Sequence, residues 1–249
     1  MMYKHGIKYL TFIFALILLL ARQSYGGPPF NTDDPEPVQF KHWEYYISTM
    51  NIFQQGAWSG TSPHLEMNYG LLPNVQVHLL LPMNYVYTKQ NDNINFGYSY
   101  TEFGIKYRFM QETKTSPQIG TFPIIEIPTI SNNKFGNGES KVFIPVWLQK
   151  TWGNLTTYGG GGYWINPGIN NKNWIFSGWE IQYDISSVIT LGGELYYHSS
   201  DAVGNKSVAA INTGGFINVT KRFHIIFSVG HSLINESFTS TYAGLLWTV

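Results

Sequence analysis

The chain of 249 residues has no cysteine, which excludes a disulfide scaffold, a zinc ribbon and a thiol redox centre. It is also short of charge: Asp, Glu, Lys and Arg make up 12 % of it, against roughly 25 % in an average soluble domain. Neither sign is in excess, with 15 Lys and Arg against 15 Asp and Glu, and no basic cluster stands out. That balance argues against a nucleic-acid partner. Beyond Ala21 no apolar run approaches the roughly 20 residues of a spanning helix. What the chain has in quantity is aromatic side chains, 16 Phe, 8 Trp and 17 Tyr, together with 25 Gly. Little charge and many rings point to a chain with little water-facing surface.

Residues 1–26 read as a secretory signal. Lys4 and Lys8 supply the basic end, Leu10 to Ala21 is apolar except for one Thr, and Ser24-Tyr25-Gly26 puts small residues at the cleavage positions. The apolar stretch is too short to span hydrocarbon. Without Lys4, Lys8 and Arg22, twelve basic groups face 15 acidic ones. An exported chain this poor in charge either folds as a soluble β-sandwich or closes into a transmembrane barrel.

The pattern that recurs is alternation at period two. Trp43, Tyr45 and Ile47 alternate with Glu44, Tyr46 and Ser48; Phe103, Ile105, Tyr107 and Phe109 with Glu102, Gly104, Lys106 and Arg108. Ile175, Trp179, Ile181 and Tyr183 alternate with Glu180 and Gln182 in the same way. This predicts about twelve strands, over 40–53, 63–70, 74–88, 96–111, 117–129, 140–152, 154–166, 173–184, 187–199, 206–220, 222–232 and 237–249. Connections after the even strands are short. Those after the odd strands, at 54–62, 89–95, 130–139, 167–172, 200–205 and 233–236, are mostly longer and rich in Gly, Asn and Ser. Short turns at one rim and longer loops at the other are the rhythm of a transmembrane barrel, and an even strand number returns both termini to the periplasm. Tyr85, Tyr87, Tyr98, Tyr100, Trp152, Trp164, Trp174, Tyr196 and Tyr197 fall near strand ends, where an interfacial girdle is expected. The prediction is therefore an all-β, closed antiparallel transmembrane barrel over 40–249, after a signal (1–26) and an extended leader (27–39).

Residues 28–46, Pro28-Pro29-Phe30-Asn31-Thr32-Asp33-Asp34-Pro35-Glu36-Pro37-Val38-Gln39-Phe40-Lys41-His42-Trp43-Glu44-Tyr45-Tyr46, resemble the start of a bacterial outer-membrane barrel family, the transporters labelled by the MetA pathway of phenol degradation. Ile127-Pro128-Thr129, Gly136-Asn137-Gly138, Pro145-Val146-Trp147-Leu148-Gln149-Lys150 and Tyr158-Gly159-Gly160-Gly161-Gly162-Tyr163 extend the resemblance over nearly the whole mature chain. Ile130 departs from it where the family often has Gly. The resemblance implies an outer-membrane barrel with a transport role, not that phenol is the solute.

On the polar face of these strands lie Glu44, Glu66, Glu102, Lys106, Arg108, Glu126, Gln149, Glu180, Gln182 and Glu194. They form either a selectivity lining that favours cations or a salt-bridge network bracing the wall. Two prolines keep the acidic leader from being a regular strand, so it either hangs as a tail or folds inward as a plug, with Asp33 and Asp34 paired to Lys106 or Arg108. A calcium site on Asp33 and Asp34 lacks the six or more oxygens it wants. His42, His78, His198, His224 and His231 lie on separate strands without metal-ligand spacing.

Enzyme signatures are poor. His198-Ser199-Ser200-Asp201 resembles the His-x-Ser-Asn of lipid A deacylase barrels with Asp in place of Asn, and His231-Ser232 points its two side chains to opposite faces. No Gly-x-Ser-x-Gly elbow, zinc helix or phosphate loop is present. The reading is a non-enzymatic channel or facilitator without cofactor or metal. Its partners would be outer-membrane lipids, the barrel-assembly machinery and small-molecule solutes, apolar ones included. A structural barrel with a sealed lumen and a lipid-acting enzyme are the alternatives.

Overall fold

The computed structural model describes residues 27–89, 92–129, 135–136 and 138–249. The signal segment, Ile130 and Asn137 lie outside the described residues. Fourteen strand segments follow in order: β1 (Trp43–Gln54), β2 (Ala57–Leu72), β3 (Val75–Thr88), β4 (Asn93–Tyr98), β5 (Tyr100–Met110), β6 (Gln118–Thr121), β7 (Ile124–Pro128), β8 (Lys141–Trp152), β9 (Leu155–Ile165), β10 (Trp174–Asp184), β11 (Ile189–His198), β12 (Val208–Asn218), β13 (Phe223–Ser232) and β14 (Phe238–Thr248). All pair antiparallel, and β1 joins β14 with Glu44 opposite Thr248, so the sheet closes on itself. β4 with β5, and β6 with β7, are halves of single strands, which gives a closed barrel of twelve strands. Closure satisfies the ladder without water, the condition for crossing hydrocarbon with strands.

Proline explains the breaks. Pro123 has no N–H, and the chain skips there between β6 and β7, although its carbonyl still accepts Ile105 N–H at 3.1 Å. Between β4 and β5, Ser99 N–H donates to Pro82 O at 3.4 Å, but Pro82 has no N–H to return the bond, and the ladder breaks there. The Ser99 hydroxyl donates to Phe135 O at 3.1 Å, and its carbonyl accepts the Thr129 hydroxyl at 2.7 Å. Pro63 produces a register shift between Thr61 and His64 instead of ending β2. The predicted strand 63–70 is thus the lower part of a 16-residue strand, and the expected loop 54–62 shrinks to a turn at Gln55-Gly56.

Inside and outside are reversed relative to a soluble protein. Ile47, Ile105, Ile144, Ile181 and Leu195 face outward and are more than half exposed, while Glu44, Lys106, Gln149, Glu180 and Glu194 face inward and are buried. Such a surface is stable only against lipid tails, and no second apolar sheet covers it, so the soluble sandwich is ruled out. The girdle expectation needs correction. Trp152, Tyr98 and Tyr197 do face outward near strand ends, but Trp164, Trp174, Tyr196 and Tyr100 point into the barrel. They share the parity of Tyr158, Glu180, Glu194 and Glu102, so distance from a strand end was the wrong guide. The start of β1 and the end of β14, joined by Trp43 N–H to Val249 O, lie on the rim with the short turns, which the barrel rule makes periplasmic.

Candidate functional site

The leader lies inside the barrel. Its first fixed point is Pro29, whose carbonyl accepts the Ser228 hydroxyl at 2.7 Å. Next, the backbone N–H groups of Asn31 and Thr32 both donate to the Glu194 carboxylate, the first at 3.1 Å. Glu194 also accepts from Asn212 Nδ2 at 2.6 Å, so the acid is fully engaged. Thr32 is wholly buried against Gly178, where a Cβ would sit 2.0 Å from its Oγ1; only glycine lets the leader approach this strand so closely.

Asp33 and Asp34 then converge on Lys106, whose Nζ lies 2.8 Å from one carboxylate and 3.2 Å from the other. Lys106 and Asp34 are nearly sealed from solvent. Two carboxylates share one ammonium here, and burial raises the Asp34 carboxyl to about 7, against the opposing pull of Lys106. Glu36 accepts from Gln118 Nε2 and Gln149 Nε2, each at 3.1 Å, and lies 3.6 Å from Arg108. Arg108 therefore meets Glu36 and not the aspartates, its guanidinium held by Asn74 and Gln118. Val38 N–H donates to Gln76 Oε1 at 2.8 Å. At the rim Phe40 bridges to Gly70 and the chain enters β1.

The remaining predicted residues divide by height. Glu44 is buried low in the lumen and accepts from the Tyr46 hydroxyl at 3.1 Å. Gln182 and Glu180 are buried on β10; neither Glu180 oxygen has a hydrogen-bond partner among the described residues. Higher up, Glu126 pairs with Lys141 at 2.9 Å. Glu66 and Glu102 flank His78, at 3.6 Å from Nδ1 and 3.9 Å from Nε2. Sequence reasoning passed over Glu36, Gln76, Gln118 and Asn212 as leader contacts. For Gln76 the signal was there, since it alternates with lipid-facing Val75 and Val77.

Above the leader the lumen opens into a cavity of about 930 Å³. Residues 27–31 and Asp33 form part of its lining, Glu66, His78, Glu102 and Glu126 line one side, and Trp174, Phe176 and Tyr196 the other. Behind the second side is a stack of rings, Phe143 on Trp164 at 4.8 Å and Trp164 on Trp174 at 5.3 Å. The Gly159–Gly162 run admits these rings: a Cβ at Gly162 would lie 2.7 Å from the Phe143 ring. β4 pairs with β3 and with no other described strand.

The hydrolase spacings do not assemble. His198 Nδ1 lies 3.1 Å from Ser199 O and Ser200 donates to Ala202 O at 2.7 Å, so base and hydroxyl are not joined. His231 is exposed on the outer face while Ser232 is buried inside. No metal-binding group of three or more His, Asp or Glu occurs among the described residues.

No family model matches the sequence, and no curated protein matches it. Solved structures do match the fold. An outer membrane channel from Pseudomonas putida superposes with a TM-score of 0.70 at 13 % identity, covering 87 % of this chain and 98 % of that one. The translocator domain of the autotransporter NalP from Neisseria meningitidis gives 0.56 at 10 % identity, over 82 % and 88 %. The monoaromatic hydrocarbon channel CymD gives 0.51 at 7 %, over 84 % and 88 %. The fold is that of outer-membrane β-barrels, the architecture that the resemblance at residues 28–46 implies.

Proposed function

We propose that this chain is a passive outer-membrane channel or facilitator for small solutes, with its leader as a plug in the lower lumen. The inward carboxylates and amides would be both the seat of that plug and the lining a solute meets. The observation that carries the reading is how the leader is held. From Pro29 to Val38 its hydrogen bonds to the wall run through wall side chains, with no strand pairing. A segment fixed this way leaves without breaking the barrel ladder, whereas an added strand could not. Solute would enter the upper cavity, and pass once the leader shifts.

Planar-bilayer recording tests this directly. Deleting residues 27–37 is expected to raise single-channel conductance severalfold, and unchanged conductance contradicts a plug. The filled lower lumen also favours a second reading, a structural barrel with a sealed lumen, which absence of conductance in both forms would support. An enzyme role predicts altered lipid A or phospholipid composition when His198 and Ser200 are replaced; the channel reading expects none.

A further inference from the structure

We infer that the upper cavity is built for an organic cation carrying an aromatic ring, an arylalkylammonium. This rests on the channel reading above and narrows its solute class.

The molecule already seats two of its own ammonium groups in one way. Lys141 Nζ is 2.9 Å from Glu126 and 4.1 Å from the centre of the Tyr100 ring. Lys106 Nζ is 2.8 Å from Asp33 and 5.1 Å from the Phe122 ring. In each case a carboxylate supplies the charge and an aromatic face the second contact. Beside these two seats, Glu66 and Glu102 present carboxylates to the same cavity. Their only ion-pair partner among the described residues is His78.

His78 carries the argument further. Its Nδ1 lies 2.7 Å from Asn68 Oδ1, and Asn68 in turn donates from Nδ2 to Glu66 at 2.7 Å. An amide oxygen only accepts, so the imidazole proton sits on Nδ1. Nε2, the other ring nitrogen, faces the Glu102 carboxylate. It is buried, lines the cavity, and has no hydrogen-bond partner among the described residues. It lies 3.9 Å from Glu102 Oε2, beyond hydrogen-bond reach, so the Glu102 carboxylate keeps acceptor capacity toward the cavity. An ammonium offers three donors and no acceptor, which matches a cavity wall with two carboxylates that share one imidazole between them.

The ring has its place across the cavity. Trp174, Phe176 and Tyr196 belong to β10 and β11, which lie about half a barrel turn from β2 and β5. Phe176 and Tyr196 stack at 6.0 Å, offering an apolar wall to a planar group. A neutral arene would use only that wall, and an inorganic cation only the carboxylates; an arylalkylammonium uses both.

Calorimetric titration of the mature protein in detergent, with 2-phenylethylamine, 2-phenylethanol and butylamine, tests the inference. The aromatic amine should bind about tenfold or more tighter than either of the others, as expected for a charge-assisted contact added to ring burial. Glu102→Gln and Glu66→Gln should each remove most of the preference over the alcohol, with heat-shifted gel mobility confirming a folded barrel. Trp174→Ala should weaken the amine and the alcohol together. An alcohol that binds as tightly as the amine, or a preference that survives both Gln variants, overturns the inference. Liposome-swelling assays with the same three solutes separate this from the channel reading. Passage of all three without preferential amine binding sinks the site alone; tight amine binding without passage of any solute sinks the channel and leaves the site.

Discussion

The lower and upper halves of the lumen are built from the same alternating strands, yet one is filled and the other open. In the lower half Lys106 and Arg108 face a leader bearing Asp33, Asp34 and Glu36, and the opposite charges draw the segment in. The upper half has Lys141 against Glu66, Glu102 and Glu126, the start of the leader only as part of its lining, and a wall of rings. The difference teaches that alternation fixes which side chains face inward, while the placement of a few cations decides whether the interior closes or stays accessible.

That contrast can be broken from the lower side. The largest expected effect comes from Lys106→Met. It leaves Asp33 and Asp34 without their cation in a nearly sealed site, a loss of about 3–5 kcal/mol for breaking a buried pair from one side. The leader should come out, and single-channel recording should show the conductance of the 27–37 deletion. Gly178→Val comes next. Its side chain occupies the space of Thr32 Oγ1, which should cost about 1–3 kcal/mol of overpacking and raise conductance with the barrel still folded by heat-modifiable mobility.

A smaller and reversible effect is expected from pH. Burial raises the Asp34 carboxyl from its ordinary 3.8 to about 7. The docked leader thus binds a proton that the released leader gives up. Docking is fully supported below the ordinary carboxylate range and loses this contribution as pH rises through about 7. Conductance should therefore increase between mildly acid and mildly alkaline buffer, and Asp34→Asn should flatten the rise. The smallest effect sharpens the upper side: Glu126→Gln removes one partly exposed partner of Lys141 and should cost about 1 kcal/mol or less in thermal denaturation.

Much of this was legible in the residues. The parity of Glu180 and Gln182 against Trp179 and Ile181 predicts which face is enclosed, because strand geometry has a period of two. Prolines 35 and 37 mark the leader as something other than a strand. Less legible were the breaks. Pro63 and Pro123 look alike in sequence, but β2 absorbs the first by a shifted register while the second splits a strand. Nearness to a strand end does not tell which way a ring points; parity does, and Trp174 shares parity with Glu180. The partners of Glu36 lie on β5, β6 and β8, and the cavity is shaped by segments remote in sequence; local pattern carries neither.

The central claim, that the leader is packed inside the lower lumen, has one direct measurement. The chain has no cysteine, so a single Thr32→Cys in the mature protein reports its own accessibility to a small water-soluble thiol reagent. Thr32 is fully buried and Ile169, on an outer loop, is 94 % exposed. The account predicts that Thr32→Cys reacts about a hundredfold or more slower than Ile169→Cys, since labelling must wait for local opening. Equal labelling rates would contradict it.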